Sequence, residues 1–335
     1  MPQAECFLLL AASGVSQAFF ALPVKYFRSW RWEHMWIAQA VTTNLVLPFL
    51  WAALLPVAFW RAAAERSARE LLALVVWGIV WGTGGIAYGL VLTRLGASFA
   101  YSFVFGISIL AGALAPLAFH VVQAPIHPAR FVAGLVLGVL STIACGFAAR
   151  AAAGKNATPA VIIPFGLRSY RAALLLGVAA GLCSAAYGLA FSVHFDSIQR
   201  LVARGLSPSA ASMLVNLPLY VGSACAACLF AGWLLIRSRS GLRFLNAQPL
   251  RNWTLGVVMA IFGVGGTFLY STASSAPGHP SPNTSYGVFM SFFIAGGNLV
   301  GAGTGELASR SAAANGLLAA GIGGLMAGAL LLHSS

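Results

Sequence analysis

Residues 71–92 read LLALVVWGIVWGTGGIAYGLVL, residues 93–95 are Thr-Arg-Leu, and residues 96–119 read GASFAYSFVFGISILAGALAPLAF. Each apolar arm is long enough to cross a bilayer, since about 20 apolar residues in a helix rise about 30 Å. The arms are about twice as long as a membrane β-strand and do not alternate between apolar and polar residues, which favours helices over a barrel. This stretch therefore predicts a hairpin of two membrane-spanning helices.

The composition extends this prediction to the whole chain. Of its 335 residues, 59% are hydrophobic and 7% are charged, whereas soluble proteins carry about 25% charged residues. No soluble core could hide so much apolar surface. The predicted fold is an all-α polytopic membrane protein with ten transmembrane helices, at about residues 5–24, 33–56, 71–93, 96–119, 130–149, 172–194, 209–236, 253–275, 284–304 and 313–333.

The net charge of +13 would suggest a nucleic-acid partner in a soluble protein. Here the basic residues lie almost wholly in the short breaks between apolar segments, which is a topology signal, and no nucleic-acid partner is expected. Of the 19 Lys and Arg residues, 13 fall in odd-numbered connections. The positive-inside bias therefore predicts cytoplasmic odd connections and both termini outside.

The longest hydrophilic break separates two sets of five segments. It predicts an N-terminal five-helix repeat at 1–150, a cytoplasmic linker at 151–171 and a C-terminal five-helix repeat at 172–335. At one constant offset in the fourth spans, Tyr101 and Gly112 align with Tyr286 and Gly297. Because five is odd, related halves must have opposite orientations. Inverted repeats are a recurrent transporter architecture, in which substrate binds near the midplane and access alternates.

Helical spacing gathers the few polar atoms of the third and fourth segments on stripes that also carry aromatic rings. Such a lining suits a small polyhydroxylated solute, because amides and hydroxyls bind its oxygens and rings cover its flat faces. The alternative is ordinary packing, since membrane helices also meet through small and polar residues. The substrate-binding candidates are Gln17, Gln39, Asn44, Trp81, Tyr88, Tyr101, Tyr187, Asn216, Tyr220, Tyr270, Tyr286 and Asn298.

Three strings carry a family resemblance: PVKYFRSWRWEHMW at 23–36, WGTGGIAYGLVLTRLGAS at 81–98 and MSFFIAGGNLVGAGTGE at 290–306. Together they resemble the L-rhamnose/proton symporter family of the drug/metabolite transporter superfamily. The resemblance covers both halves and implies a ten-helix bacterial inner-membrane carrier that takes up L-rhamnose, or a related small sugar, with a proton. It would make both termini periplasmic, with the sugar and the lipid bilayer as partners.

Other functions remain as alternatives at this point. A carrier or exchanger of the same superfamily for another metabolite would share the same architecture. A polytopic membrane enzyme is less favoured, because the chain contains no H-E-x-x-H and no G-x-S-x-G motif. Cys225 and Cys228 form a C-x-x-C without a second pair or a nearby His cluster, so we expect no metal site. No cofactor is expected beyond the coupling proton.

Proton coupling needs an ionisable group, and the chain has only six acidic residues. An acid within a membrane is costly enough to be a functional candidate by default. Glu33 opens the second span among Trp30, Trp32 and Trp36, which would desolvate it; alternatively, it stabilises the helix N-terminus and pairs with an arginine. Asp196 is the second candidate, in a buried neighbourhood with His194 or as an interfacial end charge.

Overall fold

The computed structural model describes residues 2–122, 125–152, 169–246, 248–276, 281–305 and 311–335. In this part of the chain all regular elements are helices, and ten of them are long and apolar enough to cross a membrane. The predicted ten-span fold is therefore confirmed, whereas most of the predicted linker at 151–171 lies outside the described residues. The spans are α1 (Gln3–Tyr26), α2 (Trp32–Ala53), α3 (Ala68–Leu95), α4 (Ala97–Ala118), α5 (Pro128–Ala151), α6 (Tyr170–Val193), α7 (Pro208–Ser238), α8 (Pro249–Ser274), α9 (Pro282–Gly303) and α10 (Ala312–His333).

Three spans contain local irregularities. The last turn of α1, Leu22–Tyr26, is a 3₁₀-helix, and α6 is interrupted at Ala185. In α2, Thr42–Val46 forms a π-helix. Such wider turns are rare in proteins, and those that occur are often found at functional sites. Shorter helices in the connections span Val57–Ala64, Phe195–Ala203 and Arg243–Asn246.

The turn between α3 and α4 is tighter than the sequence predicts. Residues 93–95 continue α3, and the chain reverses at Gly96, whose φ is 82°. Glycine adopts such a positive φ without the steric cost that a Cβ would add. The start of α3 is fixed by a capping box, in which the Ser67 hydroxyl accepts a hydrogen bond from the Glu70 backbone N–H at 3.2 Å.

The two ends of the helix bundle can be distinguished by their contacts. One end, here called the terminal end, holds the start of α1 and the end of α10. There His333 Nε2 lies 3.1 Å from the carbonyl oxygen of Gln3. At the opposite end, the loop before α2 meets the start of α8, where Asn252 Nδ2 donates to the carbonyl oxygen of Arg28 at 2.9 Å. Large apolar side chains such as Leu229 are exposed on the sides, as a lipid-facing surface requires.

Close packing of α4 against α9 depends on glycines and is reciprocal between these two helices. A Cβ at Gly112 of α4 would lie 2.2 Å from the ring of Tyr286 in α9. A Cβ at Gly297 of α9 would lie 2.3 Å from the ring of Tyr101 in α4. The two helices therefore exchange equivalent contacts, each tyrosine filling the space above the other helix's glycine.

The same exchange recurs where α1 and α6 pack against these central helices. A Cβ at Gly14 of α1 would lie 2.5 Å from the carbonyl oxygen of Phe289. A Cβ at Gly181 of α6 would lie 2.5 Å from the carbonyl oxygen of Val104. Phe289 follows Val104 by the same offset as Tyr286 follows Tyr101, so these contacts continue the reciprocal pattern.

Candidate functional site

A cavity lies near the middle of the helix bundle. It is lined by residues of α1, α2, α3, α4, α6, α7, α8 and α9, and no described residue of α5 or α10 contributes to it. Its volume open to the centre of a water molecule is about 130 Å³. One water needs roughly 10–15 Å³ by this measure, so the space can hold several waters or a small solute in their place.

Eight of the twelve predicted substrate-binding residues line this cavity. They come from six helices, which meet here although the residues are far apart along the chain. The sequence-based choice of aromatic and amide side chains therefore converges on one place. These residues are Gln17, Gln39, Asn44, Trp81, Tyr88, Tyr187, Tyr220 and Tyr270.

The other four predicted residues are absent from the lining and bond to neighbouring helices. The Tyr101 hydroxyl donates to the carbonyl oxygen of Ala18 at 2.8 Å. The Tyr286 hydroxyl lies 2.7 Å from the Ser108 hydroxyl.

The two asparagines are also held in place by their neighbours. Asn216 Oδ1 accepts from the Tyr187 hydroxyl at 3.2 Å and Asn216 Nδ2 donates to Ser271 Oγ at 3.0 Å. Asn298 Nδ2 donates to Ser102 Oγ at 2.9 Å. These four predicted residues do not line the cavity in this conformation, because their hydrogen bonds join helices behind the cavity wall.

Aromatic rings form much of the cavity wall. The Trp81 ring lies 5.2 Å from that of Tyr187 and 5.9 Å from that of Tyr220, measured between centroids. On another side, the Phe105 ring lies 4.4 Å from that of Phe293 and 4.9 Å from that of Tyr88. Such rings offer flat apolar surfaces, and their mutual contacts hold the rings in fixed orientations.

Amides and hydroxyls occupy the remaining wall. Asn44 Nδ2 donates to Ser223 Oγ at 3.1 Å, and Gln17 Nε2 donates to the carbonyl oxygen of Gly263 at 2.8 Å and to Thr267 Oγ1 at 3.1 Å. These bonds hold the amide groups while leaving their carbonyl oxygens as acceptors.

Several polar atoms of the wall have no hydrogen bond with good geometry to any described residue. They are the hydroxyls of Thr43, Tyr220 and Tyr270, although those of Tyr220 and Tyr270 lie close to Thr267 and Ser274. A buried polar group without a partner is costly. Each of these side chains lines the cavity, so its hydroxyl is a candidate partner for a ligand with several hydroxyl groups.

The lining contains no charged side chain among the described residues. Glu33 lies beyond one end of the cavity, at the start of α2, and its side chain is 0% exposed. Its Oε1 accepts from Ser238 Oγ and Ser240 Oγ, each at 3.2 Å, whereas Oε2 has no partner among the described residues. Within hydrogen-bond distance the carboxylate therefore meets only serine hydroxyls of the residues that end α7.

The predicted surroundings of Glu33 are partly confirmed. The Glu33 side chain is fully buried, and the rings of Trp32 and Trp36, on the same part of α2, stack on each other with centroids 5.0 Å apart. In the described part of the chain, no arginine forms an ion pair with Glu33, and the ionisable partner within 4 Å is His34, whose Nδ1 is 3.9 Å away. Arginine pairing is thus wrong, because the serines of α7 occupy the side of the carboxylate.

Asp196 lies at the terminal end of the bundle, in the first turn of the short helix Phe195–Ala203. This helix buries Ile198 and turns Asp196 outward, so that its side chain is exposed. His194 is half-buried; burial first, and the charge of Arg66 second, lower the pKa of its imidazole. The predicted buried His194/Asp196 neighbourhood is wrong, and Asp196 has the position of an interfacial end charge.

Sequence reasoning missed several lining residues. Trp36, Thr43 and Ser223 lie on the same helix faces as the predicted Gln39, Asn44 and Tyr220, so their helical spacing was a usable signal. The phenylalanines and glycines of the wall carried no polar signal. Glu306, which belongs to one of the family-like strings, lies outside the described residues.

Comparison with known proteins relates this arrangement to a family of carriers. A relative named L-rhamnose-proton symporter from Enterobacter sp. (strain 638) is 28% identical over 308 residues, covering 85% of this chain and 84% of its own. Relatives of the same name from Cronobacter sakazakii and Citrobacter koseri are both 29% identical, over 72% of this chain and 66% of their own length.

A solved crystal structure is similar over 97% of both chains, with a TM-score of 0.56 and 15% sequence identity, and so supports the fold alone. The sequence model of the L-rhamnose-proton symport protein family, RhaT, matches residues 6–326. Because this match covers nearly the whole chain and the family consists of transporters, the protein is a transporter rather than an enzyme, and it belongs to the L-rhamnose-proton symport protein family.

Proposed function

We propose that this protein imports L-rhamnose, or a related small sugar, together with a proton by alternating access. The observation that carries the proposal is the uncharged central cavity, which combines aromatic rings with amide and hydroxyl groups. A neutral sugar needs hydrogen-bonding groups and apolar faces but no counter-ion. The relatives are named L-rhamnose-proton symporters, and these names suggest L-rhamnose as the sugar and the proton as the coupling ion.

Within the cavity, the sugar would bind between two kinds of wall. Its less polar face would stack on Trp81 and neighbouring rings, while Asn44 and Gln39 would bond to its hydroxyls from α2. Tyr220 and Tyr270 also line the cavity and would contact the bound sugar. The remaining predicted residues Tyr101, Asn216, Tyr286 and Asn298 would support these side chains from behind.

Glu33 is the favoured proton-coupling residue. A carboxylate with one oxygen unpaired in a fully buried site is costly when charged, so protonation there is coupled to whether the site is closed or open. Asp196 is exposed to solvent in this conformation and lacks that coupling. The proton is the only cofactor-like component in this mechanism.

Alternating access would arise from two inverted five-helix repeats. The exchange of contacts between Tyr101–Gly297 and Tyr286–Gly112 supports this organisation, because a two-fold axis between the halves produces such pairs. Rocking of the halves about this axis would expose the cavity at one end and then at the other.

The orientation follows from the charge pattern and remains a proposal. The protein would reside in a bacterial inner membrane with both termini in the periplasm, since the odd connections are the basic ones. Glu33 and the end of α7 would then face the cytoplasm.

The decisive experiment measures uptake of labelled L-rhamnose into proteoliposomes, with and without an inward proton gradient. Gradient-driven accumulation is expected, and it should be abolished by a protonophore. Uptake without any effect of the gradient would indicate an exchanger, and uptake of only a different sugar would overturn the substrate. Glu33→Gln should lose accumulation but keep sugar exchange, while Glu65→Gln, at an exposed acid, serves as the control.

A further inference from the structure

Glu33 is connected to the end of α7 by a compact group of hydroxyls. Ser238 is the last residue of α7, and Ser240 follows after Arg239, which adopts a left-handed φ of 48°. The two serine hydroxyls lie 2.7 Å apart, and each lies 3.2 Å from Glu33 Oε1. The turn at residues 238–240 therefore closes the opposite end of the bundle over this carboxyl group.

The two serine hydroxyl hydrogens cannot provide a hydrogen bond for each of these three oxygen–oxygen contacts. Each hydroxyl carries one hydrogen, so two hydrogens serve three oxygen–oxygen contacts. If one serine donates to the other, only a single hydroxyl remains to donate to Glu33. A proton on the carboxyl group would supply the missing donor, and a closed turn thus accommodates a protonated site.

His34 faces the same carboxyl group with an unpaired nitrogen. Its Nε2 lies 2.9 Å from the carbonyl oxygen of Ser240, and because a carbonyl only accepts, Nε2 carries the hydrogen. In the neutral ring Nδ1 is then a lone pair; it lies 3.9 Å from Glu33 Oε1 and has no partner among the described residues. One proton, bound either to the carboxyl group or to Nδ1, would leave this buried pair without net charge.

The surroundings favour one bound proton over none or two. With no proton the buried pair would be an uncompensated anion. A second proton would add positive charge next to Arg31 and Arg243, the cations that act on His34 from the start of α2 and from the short helix after α7.

Other charges near this end are directed elsewhere. Arg237 of α7 lies over the Trp233 ring, and Arg251 of α8 donates to the carbonyl oxygen of Tyr26. Rings of Phe244 and Trp30, with centroids 4.8 and 6.0 Å from that of His34, cover the pair on its remaining side.

A path also links the pair to the sugar cavity. Trp32, beside Glu33, stacks on Trp36, and Trp36 lines the cavity one turn further along α2. Gln39 lines it on the next turn. A sugar in the cavity would therefore press on the same helix that carries the pair.

We infer that Glu33 and His34 hold the coupling proton jointly, and that the turn at residues 238–240 closes this end of the transporter over the singly protonated pair. Opening would separate the turn from α2 and admit water, and the proton would then leave from Nδ1 or the carboxyl group to the solvent. This inference rests on the proposed function and assigns His34 as a positioning and proton-sharing residue.

The test uses His34→Gln, whose amide can still donate to the Ser240 carbonyl oxygen but cannot titrate. In proteoliposomes the wild-type protein and this variant are compared for gradient-driven L-rhamnose accumulation and for sugar exchange between pH 5 and 8. We expect His34→Gln to keep exchange within about twofold. The midpoint of its pH profile should shift by about one unit or more, because one of the two groups that share the proton is then missing.

A second measurement does not depend on transport. Addition of L-rhamnose to the weakly buffered, detergent-solubilised protein should change the number of bound protons. Glu33→Gln should abolish this change, and His34→Gln should move the pH at which it occurs. If His34→Gln kept the wild-type pH profile and proton change, the shared proton would be refuted while the proposed function stood. Absence of accumulation by the wild-type protein would instead refute the proposed function. A variant that fails to elute as a folded peak is replaced by Ser240→Ala, which removes a hydroxyl that donates to the carboxylate and should shift the profile toward alkaline pH, because losing a hydrogen bond to the charged form favours protonation.

Discussion

Gly85 marks a place where the size of the cavity can be changed without disturbing helix packing. It lines the cavity in α3, and a Cβ built on it has no atom within 4 Å. Its neighbours differ: a Cβ at Gly82 would lie 2.6 Å from Ser223 Cα, and one at Gly84 would lie 2.8 Å from the backbone nitrogen of Ser184. Of these three glycines only Gly85 therefore points into open space.

Two substitutions at Gly85 should separate stability from sugar binding. Gly85→Ala should raise the free energy of unfolding by about 0.5–1 kcal/mol, because glycine weakens a helix interior by that amount. Gly85→Leu places a branched side chain in a cavity of about 130 Å³. Forcing sugar and leucine into this space should cost about 1–3 kcal/mol of binding. The half-saturation concentration should then rise roughly 5- to 150-fold.

The assay is L-rhamnose uptake over a range of concentrations in proteoliposomes, together with thermal unfolding of each purified variant. Gly323→Leu is the matched control, since Gly323 is an exposed helix residue whose Cβ would also meet nothing within 4 Å. It should transport with wild-type affinity. An unchanged half-saturation concentration in a folded Gly85→Leu variant would refute the assignment of this cavity as the sugar site.

Three further predictions concern packing, binding and orientation. Gly112→Ala and Gly297→Ala should each lower the free energy of unfolding by about 1–3 kcal/mol through overpacking against a tyrosine ring. Thermal unfolding should show this loss in both variants and no loss in Gly323→Ala. Tyr220→Phe should leave the unfolding temperature nearly unchanged, because its hydroxyl has no well-formed hydrogen bond, but it should weaken sugar binding by about 0.5–1.5 kcal/mol in a binding titration. With the five native cysteines replaced, Pro2→Cys should react with an impermeant maleimide in intact cells, and protection until lysis would reverse the proposed orientation.

The number and position of the spans could be predicted because each is a long apolar segment bounded by a charged break or one rich in Pro, Gly and Ser. The aromatic and amide candidates on α2, α3 and α7 could also be predicted, since helical spacing places polar residues on a common face. Trp81 and Tyr88 follow from such spacing and do line the cavity. What a single helix cannot specify is which neighbour its polar face meets.

Tyr286 illustrates why the remaining candidates failed. From its chemistry it could bind a sugar or bond to another helix, and the choice depends on Ser108 and Gly112, which are far away in sequence. The alignment of the two segments contained a clue, because at one offset it paired Tyr101 with Tyr286 and Gly112 with Gly297. Only the packing of α4 against α9, however, places the ring of each tyrosine over the glycine backbone of the other helix.

Glu33 shows that the partners of an ionisable residue are equally hard to predict when they are distant in sequence. Its tryptophan surroundings are local in sequence and could be predicted, and they are present. Its hydrogen-bond partners come from the end of α7, about 200 residues away, and replaced the arginine that local sequence suggested. Local sequence can therefore predict that a group is desolvated but not what compensates its charge.

The separation of the proton site from the sugar cavity puts α2 at the centre of the coupling. Glu33 begins this helix, Trp36 and Gln39 line the cavity from its next two turns, and Thr43 and Asn44 do so within its π-helical segment. A π segment interrupts the regular backbone ladder and permits a bend at lower cost than a continuous α-helix. A bend there would move the part of α2 that carries Glu33 relative to the rest of the helix. Since sugar and proton act on the same movable part, the binding of one changes the cost of closing over the other, which is the free-energy coupling that symport requires.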